Sequence, residues 1–152
     1  MEEYVLDTSV LVAAILGTSS YEHLVKCKGR YYVPDYVLRE LIRKSDEIAL
    51  EIARRGEDVV NVAKELLTRL ITLYQRLTLV SLTDVVDEEA VEVARRIIGW
   101  RDPKDIPILA LAIALRRGRK RVHIVSFDKD VLEEAPKHGI PALKRPRCCR
   151  EH

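Results

Sequence analysis

The chain has 152 residues, the size of one domain with enough material for a core, and with 5% aromatic residues that core must be aliphatic. No apolar run approaches the ~18 residues of a membrane span, the acidic start Met1-Glu2-Glu3 is not that of a signal peptide, and a cytoplasmic protein without membrane contact is expected. Cys27, Cys148, Cys149 and four scattered histidines form no metal-ligand spacing, which argues against a zinc site or a disulfide scaffold, and the net charge is close to neutral at +2.

Glu3 to Asp7 reads as a first strand ending on an acid, followed by a helix that Thr8-Ser9 can cap and that runs from Val10 to Leu16. A short helix from Tyr21 to Cys27 leads to a second strand at Tyr31-Tyr32-Val33. Pro34 and Asp35 then open a helix from Tyr36 to about Lys44. Asp46 to Arg55 and Glu57 to Leu77 read as two amphipathic helices broken at Gly56, a hairpin over about 46–77. Its apolar stripe (Val59, Ala63, Leu66, Leu70, Leu73, Leu77) would pack on the domain or on a second subunit. Thr78 to Leu82 is a third strand and Asp87 to Gly99 a helix. Asp105-Ile106-Pro107 is a strong helix start, an acid at the cap before a proline, and the helix that follows is apolar on nearly all sides until Gly118. Val122 to Ser126 is a doubly buried strand, with an acidic turn after it and a last short strand near Ala142-Leu143. Strands alternating with helices imply one α/β domain over 1–152 with a mostly parallel central sheet.

In such a sheet, chemistry collects at the carboxyl ends of the strands. Asp7 ends the first strand, Glu40 lies one turn into the helix after the second, Asp105 opens the central helix, and Asp128 follows the fourth strand. Each has an ordinary structural reading: Asp105 as a cap, Asp128 in a turn, Glu40 on a polar helix face with Tyr36 and Lys44. Four carboxylates converging on one sheet edge are harder to explain that way. Clustered carboxylates repel unless a cation sits between them, and oxygen ligands without His or Cys suit Mg²⁺ or Mn²⁺. Such ions serve in-line displacement at phosphorus, so phosphodiester hydrolysis is the reaction class.

The charge of +2 is unevenly spread. Arg116 to Arg121 carries five positive charges and Lys144 to Arg150 four more; removing those nine leaves −7 for the rest of the chain. The first segment falls at the sheet edge away from the acids and reads as a solvated turn. The tail, with Lys144, Arg145 and Arg147, leaves the last strand at the acidic end, where Arg39, Arg43, Arg101, Lys104 and Lys129 are also placed. Of these, Arg39, Lys104, Lys144, Arg145 and Arg147 are the candidates for holding a nucleic-acid backbone, because phosphate contacts dominate affinity. The high charge content with one Asn and one Gln is a composition of hyperthermophile proteins.

Four blocks carry a resemblance: Val5-Leu6-Asp7-Thr8-Ser9-Val10-Leu11, Val33 to Leu41, Asp105 to Ala112, and Val125-Ser126-Phe127-Asp128-Lys129-Asp130. In this order they resemble the motifs of PIN-domain nucleases, VapC-like ribonucleases among them. The resemblance implies a three-layer α/β/α sandwich and a Mg²⁺- or Mn²⁺-dependent endoribonuclease acting on single-stranded or structured RNA. It implies catalytic and metal-ligand roles for Asp7, Glu40, Asp105 and Asp128. Ser9 and Ser126 fall where the family carries a small supporting residue, Asp130 is a candidate accessory acid, and whether Asp130 or Asp102 takes part is open. A homodimer and an antitoxin partner also follow from it.

The small-residue run after Asp105 is spaced differently from that of VapC-type toxins, Ser126 stands where Thr is more frequent, and the helical segment is long. A toxin and an RNA-processing role therefore both stay open. A haloacid-type phosphatase would need an acid where Ser9 stands, and a response-regulator receiver would need an acid pair beside Asp7. The remaining rival is a non-catalytic PIN-like module that binds RNA or protein without cutting.

Overall fold

The computed structural model describes residues 1–56, 58–99 and 102–147. Glu57, Arg101, Cys148, Cys149 and Arg150, named above, lie outside them. Five strands, β1 (Glu3–Leu6), β2 (Arg30–Pro34), β3 (Leu77–Val80), β4 (Val122–Val125) and β5 (Ala142–Leu143), form one sheet of order β3-β2-β1-β4-β5. All four pairings are parallel.

Side chains alternate across this sheet and meet a helical layer on each face. Tyr4, Leu6, Tyr31, Val33 and Val125 face a layer made by α1 (Thr8–Ile15), α2 (Ser19–Lys26), α3 (Asp35–Arg54) and α4 (Val59–Tyr74). Val5, Tyr32, Val122 and Ile124 face the other layer, where α6 (Glu88–Ile98) packs on α7 (Ile106–Arg117). The short α5 (Leu82–Val85) and α8 (Lys129–Glu134) complete the chain. The result is the three-layer α/β/α sandwich. The helix α7 is its central element, with Ile108 to Ala112 all at most 2% exposed.

Several features differ from the sequence reading: Leu82, expected to end the third strand, begins α5, and the acidic turn after the fourth strand leads into α8. The helix expected to stop near Lys44 continues to Arg54, because Ser45 does not cap a new helix: its hydroxyl donates back to the Leu41 carbonyl at 2.7 Å. The chain does break at Gly56, whose φ of +90° suits a residue without a Cβ. Of the expected stripe, Leu66, Leu70 and Leu73 pack within the fold at no more than 6% exposed, whereas Val59 and Ala63 are exposed and Leu77 lies in β3. A different row stays open: Leu67, Ile71 and Tyr74, with Ile42 of α3, line an apolar groove. Finally, Cys27 is disulfide-bonded; an odd cysteine count leaves one thiol over but does not prevent one bridge.

Candidate functional site

The carboxyl edge of the sheet opens on a pocket of about 520 Å³. Asp7, Glu40, Asp105 and Asp128 all line it, so the fold brings the four together. Thr8, Ser9, Tyr36, Lys44, Lys104 and Phe127 share the lining.

Asp7 is carried there by β1. Its backbone N–H donates to the Val125 carbonyl at 3.0 Å, which ties it to β4, and its carbonyl accepts from Val10 in the first turn of α1. Its side chain makes no cap bond to that helix. Instead Oδ2 accepts from the Ser126 hydroxyl at 2.7 Å. The same hydroxyl oxygen accepts from the backbone N–H of Asp128 at 3.0 Å. Asp128 caps α8 through Oδ1, which accepts from the N–H groups of Asp130 and Val131; that cap leaves Oδ2 without a protein donor among the described residues.

Asp105 departs from the expected cap. A 3-10 turn over Pro103–Asp105 runs directly into α7, the backbone of Asp105 is already helical, and its side chain makes no cap hydrogen bond. It is 2% exposed, and its Oδ2 is buried with no hydrogen-bond partner. Burial, the neighbouring Asp7, a hydrogen bond with Asp102 and the charge of Asp128 together push its carboxyl up to about 8. One carboxylate oxygen from each of Asp102, Asp105 and Asp128 lies within 4.8 Å of the others. Asp102 is thus the acid nearest to entering the cluster, held there because a turn of three residues places i and i+3 on one side.

Glu40 stands outside that triad and acts on Tyr36. Burial and the charges of Glu40 and Asp7 push the Tyr36 phenol up to about 12, so it stays protonated beside the acids. Tyr36 and Lys44, which the sequence reading places on a solvated face, are lining residues; four residues to either side of Glu40, they lie on the same face of α3. Ser9 is exposed at the rim. Asp130 lies in the first turn of α8 and does not line the pocket.

Of the basic residues expected to hold RNA, only Lys104 reaches this pocket, where it also approaches Asp102 at 3.9 Å. Arg39 is outside the lining, on α3. Lys144 and Arg145 line a separate hollow beside β5. Arg147 is not at the carboxylates: its backbone N–H donates to the Tyr4 hydroxyl at 3.0 Å, and its charge acts on His123, which pairs with Tyr4 in the sheet. The tail therefore turns back along the sheet after Arg145.

The donor set fits a hard divalent cation: clustered carboxylate oxygens, one of them buried and without a partner. No described helix is long and apolar enough to cross a membrane.

A family model described as PIN domain matches residues 5–118. No match was found among the curated proteins. Among solved structures, the chain is similar to one in the VapBC2 complex from Rickettsia felis bound to a DNA fragment from its promoter. The two share 17% identity with a TM-score of 0.52, over 92% of this chain and 96% of that one.

Proposed function

Starting from the fact that this chain belongs to the PIN-domain family, we propose that its carboxylate pocket is a Mg²⁺- or Mn²⁺-dependent ribonuclease centre that hydrolyses RNA phosphodiester bonds. The observation that carries this reading is Asp105, 2% exposed and with an orphan oxygen, next to Asp102 and Asp128 within 4.8 Å. A carboxylate in that position is costly unless protonated or shared with a cation.

Asp105, Asp128 and Asp7 would hold the ion, with Asp102 a fourth candidate beside them. When bound, it supplies Lewis-acid polarisation of the phosphate and lowers the pKa of a water. The chain's own groups do the rest. Ser126 fixes Asp7 and the start of α8 in one geometry. Glu40 orients the attacking water and accepts its proton, and Tyr36 remains a neutral donor at the pocket wall. Lys44 and Lys104 bring positive charge to the phosphate oxygens. Water attack at phosphorus forms the new P–O bond as the P–O3′ bond breaks, and the leaving 3′ oxygen takes a proton from solvent, which gives a 5′-phosphate and a 3′-hydroxyl.

The toxin of a toxin–antitoxin pair is the cellular role we favour, in the cytoplasm. What supports it is the likeness in fold to a chain of a VapBC complex; the open apolar groove between α3 and α4 is a separate surface for a second chain. A second copy of this chain is the occupant we assign first, which gives the homodimer.

The test incubates labelled RNA with wild type and with Asp7→Asn, in Mn²⁺ or in EDTA. Cleavage only by the wild type with metal is the expected result. Cleavage that survives EDTA or the substitution overturns the mechanism. Binding without cleavage in any divalent ion would favour the non-catalytic module.

A further inference from the structure

A second hollow of about 500 Å³ lies beside the edge strand β5, and among the described residues it shares no lining residue with the carboxylate pocket. Lys144 and Arg145, the first residues after β5, face Ser20 and His23 of α2 across it, over Leu132 and Leu143. Both cations are exposed, and neither is paired with a described acid. Glu22, the acid in the first turn of α2, is already paired with Lys26 at 3.5 Å.

Ser20 is the unusual member. It is 7% exposed, and its backbone N–H is satisfied by the Thr18 hydroxyl at 3.3 Å. Its own hydroxyl has no partner among the described residues. A hydroxyl on a largely buried residue, without an acceptor among the described residues and lining a hollow with two cations that no described acid pairs, is complementary to an anion with several acceptor oxygens. The amino end of α2 adds its partial positive charge. Among the described residues no Tyr, Trp or Phe lines the hollow, so they offer a stacked base no platform there.

Resting on the reading that the substrate is RNA, we propose that this hollow is a phosphate subsite, taking a backbone phosphodiester of the bound RNA away from the one that is cut. In register, Leu143 is paired with Val125, which is paired with Leu6 next to Asp7. Two strand spacings separate them, about 10 Å across the carboxyl edge, so a strand of RNA crossing that edge meets both sites within a few nucleotides. An acidic peptide would present similar charge, but the common edge with the carboxylate pocket favours the RNA backbone.

The test measures binding of a labelled 12-nucleotide single-stranded RNA by fluorescence anisotropy in EDTA, where cleavage is not required. The double substitution Lys144→Ala/Arg145→Ala should raise Kd about tenfold and lower the slope of log K against log salt by about 0.7 for each phosphate no longer neutralised. Ser20→Val should weaken binding several-fold, and Lys144→Arg should retain it; circular dichroism melts check that each variant is folded. Unchanged affinity and salt slope in the folded double variant overturn the subsite. Displacement of RNA by polyglutamate of equal charge at equal concentration also overturns it, and assigns the surface to a protein. The two readings fail separately. RNA bound through these residues but never cut in Mn²⁺ sinks the nuclease and leaves the subsite, whereas RNA cut normally but bound independently of them sinks the subsite alone.

Discussion

The hydroxyl of Ser126 donates a 2.7 Å hydrogen bond to Oδ2 of Asp7, joining residues 119 positions apart. Because the same oxygen accepts from the N–H of Asp128, one fully buried hydroxyl sets the relative position of two site carboxylates. Ser126→Ala leaves a buried acceptor and donor short of partners and should cost about 1–3 kcal/mol of stability. It should lower kcat for RNA cleavage about tenfold while KM stays within about twofold, since positioning acts on the reacting geometry. Ser126→Thr keeps the hydroxyl and should restore most of the rate. Wild-type kcat in the Ala variant would show that the backbone alone holds Asp7.

Asp105 should trade stability against activity. Its carboxylate, when ionised, is buried among Asp7, Asp102 and Asp128, and nothing offsets it without a cation. Asp105→Asn removes that charge with nearly the same volume. In EDTA at pH 9, where the wild-type group is ionised, the variant should melt at a higher temperature. With Mn²⁺ it should cleave RNA at least about a hundredfold more slowly. A lower melting temperature in EDTA would mean that the acid has a structural partner after all.

The raised Asp105 carboxyl also fixes the sign of a pH effect. Its ordinary value is 3.8 and its folded value about 8, so between them the folded chain keeps a proton that the unfolded chain has lost. Metal-free stability from this group is therefore full below about 3.8 and falls as pH rises toward 8. A divalent ion competes with the same proton. Mn²⁺ should bind more tightly as pH rises from 6 to 8 and release up to about one proton, which calorimetry in buffers of different ionisation enthalpy measures directly. Affinity independent of pH across that range would remove Asp105 from the ligand set.

The alternation of strand and helix, the four carboxylates at strand ends and even β5 at Ala142–Leu143 are legible in the sequence because each rests on local pattern. What is not legible depends on long-range or competing contacts. Asp46 reads as the start of a new helix, yet the Ser45 hydroxyl turns back to Leu41 and α3 runs on. Tyr36 and Lys44 are on the polar side of α3, but that side faces the pocket rather than open water. Asp102 precedes a proline in apparent loop; the available signal is its three-residue spacing to Asp105 across Pro103. The return of the tail depends on a bond from Arg147 to Tyr4, 143 residues away, which no local pattern encodes.

The open groove between α3 and α4 gives the last test. Ile42, Leu67, Ile71 and Tyr74 are 49%, 55%, 53% and 49% exposed, a contiguous apolar surface of the kind that soluble monomers seldom leave uncovered. If a second copy covers it, light scattering behind size exclusion should give a dimer for the wild type at micromolar concentration. Leu67→Lys/Ile71→Lys places two charges in the seam and should give a folded monomer, because both side chains point away from the core that Leu66, Leu70 and Leu73 form. These positions are outside the carboxylate pocket, so RNA cleavage per chain measures whether the pocket depends on pairing. A wild-type monomer would turn the groove over to a different protein chain, and a dimer that survives both lysines would move the interface elsewhere on the molecule.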